Sequence, residues 1–227
     1  MASENLEERV KKLEHELERL RAVNEIHNIV GKIQAYHTAG VADKLGGILV
    51  AQRPDTRLYT GDSGFFEGPD AFERVEAVQP KGGPLGLHGM VNPIIEVAED
   101  GQTAQAIFIG IGIAAMKDKT GTPRCMWEWT RYGSDFVKEN GQWKLWHHHV
   151  YPLFRVDWDE KWADQFDVNG KGLEHLGRHG IMEDGEPMDL NPDFPPTPLD
   201  VSYNPDVTVP LIPIPKPYKT WKDTTMY

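Results

Sequence analysis

Three consecutive histidines, His147, His148 and His149, stand near the end of a run rich in tryptophan, tyrosine and phenylalanine, and His37 and His88 lie upstream among the nine histidines of the chain. Imidazole changes charge near neutrality, so histidines that share a dry pocket with tyrosines suit general acid–base chemistry. One group takes a proton from carbon or oxygen; another protonates a leaving hydroxyl or a developing oxyanion. Two other chemistries fit the same residues. His147 and His149, two apart on a strand, have the spacing of metal ligands, with His37, His88 or Glu128 as a third. Three histidines in a row also fit a structural or interface role with only one of them inward. A serine nucleophile has little support, because no G-x-S-x-G elbow is present, and no glycine loop cradles phosphate. The single cysteine, Cys125, precludes an intrachain disulfide and a cysteine-based zinc site, and its large apolar neighbours read as core.

The element that must carry the histidine row runs from Trp127 to Asp157. Asn140-Gly141 between two aromatic and β-branched runs is a hairpin turn, because both residues tolerate positive φ. Strands are expected over 126–138 and 142–156. Strict alternation puts Trp143, Leu145, His147 and His149 on one face, and Lys144, Trp146, His148 and Val150 on the other. The turn pairs Glu139 with Gln142, and carried along the ladder sets Ser134 opposite His147, Tyr132 opposite His149 and Thr130 opposite Tyr151. Tyr132, His147, His149 and Glu128 then share the inward face. A slip of one residue would bring in Arg131 and Asp135 instead.

Upstream, Leu6, Val10, Leu13, Leu17 and Leu20 alternate spacings of four and three, the seam of a coiled coil, with Asn24 on the next a position. Fewer than three heptads are marginal alone. Such an arm either self-associates or docks on its own domain. Ile26, Ile29, Val30, Ile33 and His37 then follow the stripe of a core-facing helix, with Tyr36 beside it and Gly40 as its stop. A short helix is expected over 42–51, strands at Arg57–Thr60 and from Phe65, and a helix from Pro69 with Phe72, Val75 and Glu76 at helical spacing. Residues 79–87 read as a loop whose 82–86 segment is flexible enough for a lid. Pro93 makes the strand over 88–99 an edge strand or a bulged one. The strand over 103–117 has one face of small residues, from Ala104 to Ala114, which admits a helix or a ligand. Its other face is a row of isoleucines that a subunit interface would cover. Residues 187–217 are proline-rich yet carry Phe194, Leu211, Ile212, Ile214 and other apolar side chains, so this tail is expected to be extended and ordered.

At 227 residues the chain suits one domain with extensions. A formal charge of −11, with no basic and aromatic interleaving, argues against nucleic acid and anionic membranes. No apolar run approaches a membrane span and the start lacks a signal-peptide pattern, so the cytoplasm is the expected compartment.

The order of elements is α+β, with helices on one face of a curved antiparallel sheet. The Tyr36-bearing helix, FFEGPDAFERV, HGMVNPIIEVAEDGQTAQAIF and RYGSDFVKENGQWKLWHHHV together resemble the SnoaL-like branch of the nuclear transport factor 2-like superfamily, over roughly residues 23–155. The resemblance implies a cone-shaped barrel with a deep pocket, in homodimers or homotrimers, and chemistry ranging from polyketide cyclases and dehydratases to isomerases, aryl-propane formaldehyde lyases and non-enzymes. It also aligns His88 with a strand start that carries a pocket histidine in this family. The domain plan is an arm over 1–22, the barrel over 23–162 and a tail over 163–227 lying on the barrel or on a neighbouring subunit. The expected function is a cofactor-free, metal-free lyase for a hydroxylated, hydrophobic, aromatic small molecule. A hydroxysteroid-type dehydratase or isomerase, a polyketide cyclase and a non-catalytic binding domain are the alternatives. His37, His88 and His149 are the proton-transfer candidates. Tyr36, Tyr59, Tyr132 and Arg131 would orient or bind an oxyanion, and His147, Glu128, Phe108 and Trp129 would contact substrate.

Overall fold

A capping box opens the first element. Asn5 accepts from the Glu8 amide, and the Glu8 carboxylate accepts from the Asn5 amide. From there a computed structural model, which describes residues 5–41, 45–60, 64–77, 85–117, 121–159, 161, 191–195 and 208–227, shows one helix, α1, over Leu6–Thr38. The heptad arm and the core-facing stripe are therefore one element of 33 residues, about 50 Å long. Its side chains become buried only from Ala22 onward, through Ile26, Ile29 and Val30. Gly40, at φ 66°, ends it.

Strands β1 (Arg57–Thr60), β2 (Gly64–Glu67), β3 (Leu85–Val97), β4 (Thr103–Lys117), β5 (Pro123–Glu139) and β6 (Gln142–Asp157), with helix α2 (Ala71–Ala77) between β2 and β3, form the rest. The sheet order is β2-β1-β6-β5-β4-β3, antiparallel except where β1 runs parallel to β6. This is the α+β arrangement: a curved, unclosed sheet whose concave face packs on α1 and α2. The concave face carries Ala104, Ala106, Phe108, Tyr132, Phe136 and Leu145 in one core cluster. β3 is an edge strand, and its ladder is irregular between Val91 and Ile94, where Pro93 cannot donate and Asn92 has φ 50°. No helix among the described residues is long and apolar enough to cross a membrane.

Three expectations are corrected. The helix over 42–51 is not formed where it is described: residues 45–51 make a turn and isolated parallel bridges, Gly46 to Val50 and Val50 to Leu145. Residues 42–44 lie outside the described residues, as do 82–84 of the lid segment, while Leu85 to Leu87 already belong to β3. Cys125 is exposed rather than core.

The third correction decides the site. The hairpin turn forms as expected, with Asn140 and Gly141 at φ 52° and 79°, and Phe136 pairs with Leu145. The next pair, however, is Asp135 with His147, so Trp146 is an extra residue on β6. A β-bulge inserts one residue and reverses the parity of everything beyond it. Trp146 and His147 stack side by side, 4.2 Å between centroids. From that point Asp135 faces His147, Ser134 faces His148, Gly133 faces His149 and Tyr132 faces Val150. His148, not His149, shares the concave face with Tyr132.

The convex face beside β5 and β6 is covered by the chain's own residues 208–227. Ile212, Pro215 and Tyr218 are buried, a spacing of three that matches the turn of a polyproline II helix. Tyr218 donates to Thr103 Oγ1 (3.1 Å), Thr224 to Gln105 Oε1 (2.6 Å), and the Tyr227 amide to Asp135 Oδ2 (3.1 Å). Trp221, in a short 3-10 turn, packs on Trp146 at 4.7 Å. Of the remaining proline-rich stretch, residues 191–195 dock on β2 through a Phe65–Phe194 bridge, and 163–190 and 196–207 lie outside the described residues. The isoleucine row is not covered in this way: Ile109, Ile111 and Ile113 are 36–45% exposed.

Candidate active site

His88 on β3, Gly112 on β4 and Glu128 on β5 occupy one cross-strand row. Strands lie about 4.8 Å apart, so residues two strands apart meet only if nothing stands between them. Glycine leaves that gap. A Cβ at Gly112 would sit 2.8 Å from His88 Cδ2 and 3.0 Å from Glu128 Cγ. Across the gap His88 Nε2 lies 2.7 Å from Glu128 Oε1. An imidazole N–H held by a carboxylate fixes the tautomer and leaves Nδ1 as the basic nitrogen. Gly110, one turn of the pleat away, does the same for Thr130 and Tyr132, whose Oγ1 and Cε2 lie 2.1 Å and 2.3 Å from where its Cβ would be.

A second pair faces the first. His37, at the end of α1, places Nδ1 3.2 Å from both carboxylate oxygens of Glu76 on α2. The His37 and His88 rings are 5.0 Å apart. Two carboxylate-held imidazoles thus adjoin at the junction of helix and sheet, both largely buried. Beside them is a cavity of about 240 Å³ lined by His27, Val30, Gly31 and Gln34 of α1 and by His88, Met90 and Phe108 of the sheet. Gln34 Nε2 contacts Met90 Sδ at 3.1 Å, and its Oε1 is buried without a hydrogen-bond partner, an acceptor on the cavity wall. Deeper on the concave face His148 Nδ1 lies 2.8 Å from Ser134 Oγ, and its ring stacks on Tyr132 at 5.2 Å. Burial pushes His148 down to about 4, so it is a neutral donor or acceptor at neutral pH.

Of the residues singled out from sequence, His37, His88, Glu128, Tyr132 and Phe108 come together on the concave side, with Tyr36 packed against the same core. The other five do not join them. The bulge at Trp146 turns His147 and His149 to the convex face, and β1, paired in register with β6, carries Tyr59 with them. His149 lies between Tyr59 (3.9 Å) and Tyr151 (3.8 Å), with Nε2 buried and unpartnered. Burial first, and then neighbouring His148, push it down to about 3. His147 Nδ1 meets Asp135 (2.9 Å) and Nε2 meets the Asp55 carbonyl (3.1 Å), which makes it a strut between β5, β6 and the loop before β1. Arg131 donates to the Pro210 carbonyl of the tail, and Trp129 stacks on Phe154 at 6.2 Å. The metal set built on His147 and His149 is not assembled either, because its proposed third ligands lie on the opposite face, and among the described residues no three His, Cys, Asp or Glu converge as ligands.

Sequence reasoning missed Glu76 and His148. Glu76 was marked by its helical spacing with Phe72 and Val75, which turns it toward the core. His148 carried no such mark, since a single inserted residue is invisible to a period-two pattern.

The SnoaL-like domain family matches residues 18–149. No protein of curated function matches the sequence. Among solved structures, a candidate scytalone dehydratase from Novosphingobium aromaticivorans DSM 12444 superposes with a TM-score of 0.51 at 16% identity, covering 63% of this chain and 92% of that one. A hexachlorocyclohexane dehydrochlorinase, LinA-type3 from Novosphingobium barchaimii LL02, gives 0.51 at 15% identity, covering 64% and 96%. At such identities the likeness is one of fold. With the family model matched over more than half of the chain, the chain belongs to the SnoaL-like domain family.

Proposed function

We propose that the protein is a cofactor-independent lyase that removes water, or water together with formaldehyde, from a hydroxylated aromatic small molecule. The observation that carries this reading is the pair of carboxylate-held imidazoles, His88–Glu128 and His37–Glu76, with rings 5.0 Å apart beside a cavity. In the dehydration, His88 Nδ1 takes a proton from the carbon next to the leaving hydroxyl. The C–H electrons form the double bond, the C–O bond breaks, and His37, starting as the imidazolium, delivers the proton with which the hydroxyl leaves as water and ends as neutral imidazole. In a 1,3-diol the same base would instead take the terminal O–H proton, so that C–C cleavage frees formaldehyde and the electrons expel the distal hydroxyl. Glu128 and Glu76 hold the rings, Glu128 stabilising the imidazolium formed on His88 and Glu76 the imidazolium from which His37 gives its proton. Tyr132 and Tyr36 orient the substrate, and Phe108 and Met90 give it an apolar wall.

The cavity of about 240 Å³ is smaller than the usual small-molecule site of roughly 300–1,000 Å³, which favours a compact ring system. A purely scaffolding role would be supported by an interior filled by Phe108, Trp127 or Trp129; Phe108 lies in the concave core and walls the cavity, while Trp127 packs edge-on and Trp129 stacked on Phe154 at the sheet's convex side. Similar folds named as a dehydratase and a dehydrochlorinase fit elimination chemistry.

The test is a thermal-shift screen of aromatic 1,2- and 1,3-diols and hydroxysteroids, followed by mass spectrometry of incubated hits with and without a chelator. The expected result is loss of water, or of water plus formaldehyde, unaffected by chelator. In the His88→Ala and His37→Ala proteins the rate should fall about 10²–10⁴-fold, the usual contribution of a general acid or base. Full turnover in both variants refutes the assignment.

A further inference from the structure

The first four turns of α1 make few contacts with the rest of the chain. Leu6, Val10, Leu13, Leu17 and Leu20 are 43–76% exposed, although they form one continuous apolar seam. In heptad terms Val10, Leu17 and Asn24 are a positions, and Leu6, Leu13 and Leu20 are d positions. The helix's own domain lies on the other side: Ala22 and Ile29, at f positions, Ile26, at c, and, beyond the seam, Val30, at g, are the buried residues. The seam therefore points away from the sheet, on a helix already held rigid by its C-terminal half, so the nucleation cost that makes a short isolated helix marginal has been met.

We propose that this seam pairs with the same seam of a second copy as a parallel, in-register, two-stranded coiled coil over residues 6–24. Three features select that occupant. Valine and leucine at a, leucine at every d and one asparagine at a are the combination that favours two parallel strands. The flanking charges agree: g-position Arg9 of one copy meets e-position Glu14 of the other, and Glu16 meets Arg21. An antiparallel pairing that stacks the same leucines would set Glu14 against Glu14, Glu16 against Glu16, and Asn24 against Leu6. The seam also stops where it should. The next d and a residues are His27 and Gly31, which wall the cavity instead of continuing an apolar stripe. The pairing thus joins two domains without burying either site, and it stands independently of what the site does.

The full-length chain tests it. In a Cys125→Ser background, which removes the exposed native thiol, Leu13→Cys under mild oxidation is expected to form a disulfide-linked dimer of twice 25.7 kDa. Parallel register puts position 13 against itself, whereas the antiparallel register puts it against position 17. By light scattering, Leu13→Glu/Leu20→Glu is expected to halve the mass of the assembly while near-ultraviolet circular dichroism of the sheet is kept, since in the single chain both side chains are solvent-exposed and touch no core. Failure of position 13 to cross-link overturns the proposal, as does a mass unaffected by the double glutamate variant. Cross-linking only in a mixture of Leu13→Cys and Leu17→Cys proteins overturns it in favour of the antiparallel arrangement.

Discussion

Adding one methyl group at Gly112 should separate catalysis from stability. The Cβ of Gly112→Ala would lie 2.8 Å from His88 Cδ2 and 3.0 Å from Glu128 Cγ. An ordinary carbon contact is about 3.6 Å, so each side chain must retreat by roughly 0.6–0.8 Å, and in opposite directions, because they approach from strands on either side. The 2.7 Å contact between them then opens past hydrogen-bond range. A hydrogen bond to a charged group contributes about 1.5–3 kcal/mol, which at 1.36 kcal/mol per decade is a loss of about 10- to 100-fold in kcat/KM. Stability moves little. Gly112 is not among the residues with positive φ, so alanine gains about 0.5–1 kcal/mol over glycine in a strand. That gain offsets much of an overpacking cost of about 1–3 kcal/mol, and each net kcal/mol shifts Tm by only about 2–4 °C for a domain of this size. The assay is kcat/KM on the substrate from the diol screen, with Tm alongside. A substrate-free control is the ¹⁵N–¹H imidazole spectrum, in which the His88 Nε2–H donor signature should be lost. Wild-type kcat/KM together with an altered His88 signature would show that the dyad forms but does no work, and would refute the reasoning.

Other expectations follow from the same coordinates. His148 and His149 are held below their ordinary value, at about 4 and about 3, so the unfolded chain binds protons near pH 6.5 that the folded chain refuses. Their stabilising effect is whole above pH 6.5 and is lost as pH falls toward 4 and then 3. For His148 alone this is on the order of 3 kcal/mol. Thermal melts should therefore show Tm falling steadily from pH 6.5 to 4, with a shallower fall in His149→Phe; an unchanged slope in that variant would contradict the burial of His149. Gly110→Ala drives a Cβ into Thr130 and Tyr132 within the core and should cost about 1–3 kcal/mol, more than Gly112→Ala; equal melting points would count against this. Gly133→Val should lift the Tyr227 ring, which lies 2.4–3.0 Å from where a Cβ would be, and limited proteolysis should then release the C-terminal segment faster than in the wild type.

The hairpin, the edge character of β3 and the small-residue face of β4 were all readable before any coordinates. Asn140-Gly141 permits little else, Pro93 cannot serve a central ladder, and a row of Gly and Ala leaves a gap that something must use. Gly110 and Gly112 use it to seat Tyr132 and the His88–Glu128 pair. The face of the histidine row was not readable. Alternation holds only while a ladder is regular, and the extra residue at Trp146 depends on tertiary partners: the Asp55 carboxylate that accepts its indole N–H and the Trp221 ring packed on it. Those partners are 91 and 75 residues away in the chain. That residues 45–51 form no helix has a similar cause. The Ala51 amide donates to the Leu145 carbonyl, and the Leu49 carbonyl accepts from the Leu145 amide, so bridging to β6 outweighs local helical preference.

The most direct measurement compares kcat/KM of His88→Ala and His149→Ala on one substrate, each assayed well below its own Tm. His88 lies on the concave face against Glu128, and His149 on the convex face between two tyrosines. The expected result is a loss of about 10²–10⁴-fold for His88→Ala, with His149→Ala keeping its rate within a few-fold while melting lower. The reverse pattern, with His149→Ala inactive and His88→Ala active, would place the chemistry on the other side of the sheet and contradict the account.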